Sequence, residues 1–302
     1  MTRGMKIGLA LGSGSSRGWS HIGIIGALNA LGIVPDIICG TSIGALVGAS
    51  CVAGNLPKLE DWVCSLTKIE TVRFFEISAG LNGFVNTRRL HGFLNEYVAT
   101  DDAMIGDFGK HYAAVSTDLQ NGREVWFTKG PVIDAVWASI ALPGLFPAIR
   151  NHGRWLVDGG LVNPVPVSVC RALGADIVIA VNLNGNIAGK HFERLAKQQT
   201  RKNSVADRLG DLVREYTGNL FPPGRESDQP PGLFDAIAGS VNIAQDRITR
   251  SRMAGDPPDI LLSPRLAHIG LLEFYRANEA IDEGHKCVTR MQPEINDVLN
   301  MA

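Results

Sequence analysis

Ser42 lies between two glycines in Gly40-Thr41-Ser42-Ile43-Gly44, after an apolar run ending at Cys39 and before a segment of small residues. The pattern is G-x-S-x-G, and a strand before it with a helix after it is the context of a nucleophile elbow. At such a sharp corner the residues two before and two after the serine must be small, or the backbones collide. The hydroxyl then projects from the carboxyl end of a strand, above a helix N-terminus that favours developing negative charge. The chemistry this suits is nucleophilic attack on an acyl carbon. The same five residues also fit a small-residue helix start in which Thr41 or Ser42 is only an N-cap.

Two further clusters bear on that choice. "GSGSSRG", from Gly12 to Gly18, separates the first apolar run from the first helical pattern, so its backbone N–H groups can line up against an anion. Beside the serine they would form an oxyanion hole. Gly12-x-Gly14 also begins like a dinucleotide-binding loop, but Arg17 stands where the third glycine belongs, and Asp36 opens the second strand instead of closing it. Asp158-Gly159-Gly160 takes an aspartate out of a strand into a glycine turn, where its carboxylate could act as general base for Ser42. Asp-Gly is equally a common turn pair. Seven histidines are available for a Ser-His-Asp triad, and none has an accompanying motif. His21, nearest the glycine loop, falls inside the first helical pattern and reads as a core imidazole.

The elements that must position these residues alternate. Residues 6–12 read as a strand, 19–31 as an amphipathic helix, 36–40 as a strand, and 42–54 as a buried helix followed by another opened by Pro57. Residues 111–119 and 123–128 read as a hairpin turning at Asn121-Gly122, and 130–144 as a helix ended by Pro143. A strand into Asp158, a helix over 165–174 and a strand over 175–184 complete a 6–184 core that carries the motifs. Residues 185–232, with "FPPGRESDQPPG", read as a flexible excursion. Residues 233–302 resume with a helix, a short strand near 260 and terminal helices packed on the same sheet. The expectation is a single α/β domain over 1–302, a mostly parallel sheet with helices on both faces.

Composition narrows the partners. A net charge of −1 without a dense basic run gives no field for nucleic acid, so none is expected to bind. Five scattered cysteines without a C-x-x-C pair suggest neither a disulfide framework nor a zinc site. No metal or cofactor is expected. The N-terminal apolar run is too short and broken for a secretory signal, and no stretch reaches the roughly 20 residues that span a bilayer. The expected location is cytoplasmic, with any membrane contact peripheral.

Taken together, the loop ending Arg17-Gly18, the G-x-S-x-G two dozen residues later, and the D-G-G followed by Asn163-Pro164 closely resemble the patatin-like phospholipase family. Within it the chain particularly resembles bacterial members similar to the catalytic domain of neuropathy target esterase. It runs over residues 6–184 and includes "RMAGDPPDI" at 252–260. The resemblance implies a three-layer sandwich and a Ser-Asp dyad without histidine, with Ser42 as nucleophile and Asp158 as base. It assigns the oxyanion to the amides of Gly14 and Ser15, with Arg17 stabilising the loop. Elbow geometry adds the amide of Ile43. The family loop reads G-G-G-x-R-G, whereas Ser13 and Ser15 stand here for its first and third glycines, so a positive φ at either would be strained.

The reaction expected is hydrolysis of a fatty-acyl lipid or lysophospholipid ester through an acyl-enzyme. Residues 73–84 and 141–149 are candidates for an acyl groove or lid. The alternative from another class is a regulatory or lipid-binding protein that keeps the hydrolase scaffold.

Overall fold

The computed structural model describes residues 4–74, 87–185 and 233–301, with only the backbone of 233–238. All but the first residue of the expected excursion at 185–232 and most of the candidate groove at 73–84 lie outside the described residues.

The strands are β1 (Ile7–Leu11), β2 (Ile37–Thr41), β3 (His111–Asp118), β4 (Glu124–Phe127), β5 (Ile149–Asn151), β6 (Arg154–Asp158), β7 (Ile177–Val181) and β8 (Ile260–Leu262). They form one sheet in the order β5-β6-β3-β2-β1-β7-β8, with β4 paired to β3. From β3 through β8 all pairings along that path are parallel, and β4, β5 and β6 attach antiparallel.

Side chains alternate across a strand, so the sheet has two buried faces. Leu9, Leu11, Ile38, Tyr112, Ile179 and Val181 face the larger core. It is closed by α1 (Ser20–Ala30), α2 (Ile43–Val52), α3 (Leu56–Ser65), α5 (Thr87–Tyr97), α6 (Val132–Ile140) and α9 (Ala277–Val298). Ala10, Ile37, Cys39, Val115, Val178 and Ala180 face the other core, covered by α7 (Val167–Ala172) with Met253 from α8 (Leu233–Gly255). The architecture is a three-layer α/β sandwich. Among the described residues no helix is long and apolar enough to cross a membrane.

Two readings of the sequence need correction, and three elements went unread. The first helix is not amphipathic: seven of its residues, Ser20 to Ile25 and Leu28, are buried, because α9 crosses the side away from the sheet. The chain beyond β8 forms one long helix, α9, that continues through Pro293. Two short elements escaped the pattern, α4 (Lys68–Phe74) and β5, since neither is long enough to show a period. The helix α5 was likewise not anticipated.

The register of β3 sets the site. Thr41, the last residue of β2, pairs with Val115, and the next residue of β3, Ser116, pairs with Asp158 of β6. Val115 and Ser116 pair on their other side with Trp126 and Val125 of β4. A strand has only two edges, so β2 and β6 share one edge of β3, and β6 takes over where β2 ends.

Candidate active site

Ser42 leaves that junction at φ 57 and ψ −123, a positive φ that a serine adopts only under constraint. The constraint comes from both sides of the corner. A Cβ on Gly44 would collide with the carbonyl of Leu11, and one on Gly40 with the backbone of Ala45. The Ser42 amide donates to Ser139 Oγ at 2.9 Å, and that hydroxyl donates in turn to Val115 O at 2.6 Å. The elbow is therefore pinned to β3 through α6.

Asp158 arrives from β6 already oriented. Its Oδ2 accepts from Ser42 Oγ at 2.5 Å, and its Oδ1 accepts from the Gly160 amide at 2.7 Å. The backbone is held as well: Asp158 N donates to Ala141 O at 3.0 Å and Thr117 Oγ1 donates to Asp158 O at 2.8 Å. The carboxyl group is buried, which raises its pKa to about 6 even though the bonds from Ser42 and Gly160 act to lower it. Gly159 packs on β3, where a Cβ would strike Val115 O.

The glycine loop closes over this pair. Gly12 N donates to Val181 O at 3.1 Å and Ser13 N to Pro164 O at 2.8 Å. Asn163 joins the motifs, because Thr41 Oγ1 donates to its carbonyl at 2.8 Å and its own amide donates to Gly159 O at 2.9 Å. The amides of Gly14, Ser15 and Ile43 have no acceptor among the described residues, and all three residues line the same cavity as Ser42. Ser15 has φ 53, whereas Ser13 stays outside the positive region, so only one of the two substituted glycines meets the expected strain. Its hydroxyl compensates by donating to Leu271 O at 2.6 Å.

Arg17 is fully buried and donates from Nε to Gly14 O at 3.2 Å and from Nη2 to Asn242 Oδ1 at 3.0 Å. It braces the loop from behind, and burial lowers its pKa to about 10. Gly18 leaves room for the Ile43 side chain. His21 contacts the Gly12 carbonyl through Nε2 at 2.8 Å, and burial lowers its pKa to about 4, as suits a neutral core imidazole.

The cavity measures about 200 Å³. Beside Ser42 and Asp158 its polar side chains are Ser13, Ser15, Thr71, Asn242 and Gln245; most of the remainder is apolar, including Trp62, Phe74, Leu90 and Phe93 and the segment Leu142 to Phe146. Residues 142–146 thus fall where the sequence suggested a groove. Among the described residues no group of three or more His, Cys, Asp or Glu could hold a metal ion.

A family model described as patatin-like phospholipase matches residues 9–171, more than half of the chain. The chain belongs to the patatin-like phospholipase family. A Mycobacterium tuberculosis protein described as an NTE family protein is 31% identical over 94% of this chain and 91% of its own length. Lysophospholipase NTE1 of Pyricularia oryzae is 28% identical over 94% of this chain but only 18% of its own. Among solved structures, VipD from Legionella pneumophila is matched at TM-score 0.36 and 13% identity, over 98% of this chain and 80% of that one. Membership of the patatin-like phospholipase family, with the similarity to lysophospholipase NTE1, supports a lipid carboxylic-ester hydrolase.

Sequence reasoning missed Ser139 and Gln245. Ser139 had a signal, a hydroxyl among the apolar residues of its helix's last turns, which when buried needs a partner. Gln245 had none, since "NIAQDRITR" reads as a solvated helix face.

Proposed function

We propose that Ser42 and Asp158 form a catalytic dyad that hydrolyses fatty-acyl esters of lipids or lysophospholipids through an acyl-enzyme. The observation that carries this reading is the 2.5 Å contact between Ser42 Oγ and Asp158 Oδ2 at the polar end of an apolar cavity. Asp158 takes the hydroxyl proton as Ser42 Oγ bonds to the acyl carbon, and the carbonyl oxygen becomes an oxyanion. The amides of Gly14, Ser15 and Ile43 are the donors for that charge, each worth about 3 kcal/mol if placed as in other oxyanion holes. The tetrahedral species collapses by breaking the ester C–O bond, and Asp158 returns the proton to the departing alcohol. Water then repeats the sequence on the acyl-serine and releases the fatty acid. Arg17 enters only by supporting the loop.

The test uses p-nitrophenyl octanoate and a fluorophosphonate label. Ser42→Ala is expected to lose both labelling and turnover, and Asp158→Asn to lower kcat on the order of a thousandfold or more while Ser42 remains in place. Retained hydrolysis in Ser42→Ala, or labelling mapped to another residue, would falsify the dyad.

A further inference from the structure

Gln245 stands in the cavity wall on α8, outside the stretch matched by the family model, with 6% of its surface exposed. Its orientation follows from a chain of bonds. A carbonyl only accepts, so Asn184 presents Nδ2 to Ser13 O at 3.2 Å. The same Nδ2 lies 3.0 Å from Gln245 Oε1, which also accepts from Ser13 Oγ at 3.1 Å. The amide oxygen is thereby fixed toward the glycine loop, and Nε2 faces the other way.

The described residues offer that nitrogen no acceptor: both side-chain bonds of Gln245 are made by Oε1. It occupies the space above Gly160: a Cβ there would fall on Gln245 Nε2 and lie 2.9 Å from Asp158 Oδ1. The second glycine of the D-G-G turn therefore does more than make the turn, since it admits a neutral N–H donor beside the dyad carboxylate. The nitrogen is not sealed in the core, so a partner inside the cavity can reach it.

We propose that Gln245 Nε2 donates to the alcohol-side oxygen of the reaction, first the leaving oxygen and then the water that replaces it. This inference rests on the dyad reading above. The water would donate one proton to Asp158, accept from Gln245, and keep a lone pair for the acyl carbon. Its oxygen forms the new C–O bond as the acyl carbon–Oγ bond breaks, and the proton held by Asp158 passes to Ser42 Oγ.

The experiment is stopped-flow hydrolysis of p-nitrophenyl octanoate by wild type, Gln245→Met and Gln245→Glu. Gln245→Met removes both ends of the amide at similar size. Gln245→Glu keeps an oxygen for Ser13 and Asn184 while removing the donor, so it covers failure of the methionine variant to fold. A nitrophenolate needs little help to leave, so the burst stays near the wild-type rate while turnover slows on the order of tenfold, the worth of one such bond. The ratio of burst rate to turnover rate rises accordingly in both variants. Equal slowing of both phases would reduce Gln245 to loop support and overturn the proposal, as would an unchanged ratio. Failure of the dyad reading looks different, because Ser42→Ala would then still be active whatever Gln245 does.

Discussion

Asp158 is the residue whose environment matters most. Its carboxyl group is buried, its two oxygens take Ser42 and Gly160, and burial outweighs both bonds to put its pKa at about 6. Only the ionised form can accept the serine proton, so the shift has a definite sign. As pH falls through about 6 the base fills with a proton, and kcat/KM should drop tenfold per unit below that point while staying level above it. A pH–rate profile on p-nitrophenyl octanoate measures this, and a limb near the ordinary aspartate range of about 4 would contradict the buried environment. A base near 6 is mostly ionised at neutral pH yet less acidic than a free carboxyl, which suits proton exchange with a hydroxyl better than an exposed aspartate would. The site's key residues were legible in the sequence because each sits in a turn whose glycines answer to backbone collisions. What could not be read was a group without a turn or glycine signature of its own, and Gln245 is the clear case.

At the level of elements, alternation of strands and helices was legible over much of the chain, which gave β1, β2, β3, β7 and the helices α2, α3, α6 and α7, while the 11-residue α5 went unread. The first helix was misread because its outward face is covered by a helix more than 240 residues later in the chain, which local periodicity cannot register. That covering is close. A Cβ on Gly284 of α9 would collide with Ser20 O, and one on Gly23 of α1 with Ile281 O. The backbones themselves meet, so neither contact can be relieved by a rotamer. Gly284→Ala should therefore separate α1 from α9 and cost roughly 1–3 kcal/mol, as overpacking does. Urea unfolding monitored by tryptophan fluorescence reads the loss, and an unchanged midpoint would mean that the crossing is looser than described. Because α1 continues from the glycine loop through Ser15–Trp19, the same variant should also weaken esterase activity.

The whole molecule brings together parts that have separate places: a sheet that carries Ser42 and Asp158 at its edge, and a helical cover that shapes the space above them. The cavity is apolar apart from the dyad end, so substrate selection should follow buried hydrocarbon. Each methylene taken from water contributes about 0.8 kcal/mol, close to fourfold in kcat/KM. A p-nitrophenyl ester series from acetate upward should show that rise until the chain reaches the aromatic wall at Trp62 and Phe93, then a plateau or fall. A flat series would separate the cavity from the acyl group. Beneath the cover, Thr41 and Asp158 occupy neighbouring rungs on one edge of β3. In the proposed dyad, base and nucleophile are consequently spaced by the repeat of a hydrogen-bonded ladder and not by the closing of a flap. Descendants of this chain could exchange the roof for other substrates while the bond-breaking machinery beneath it kept its dimensions.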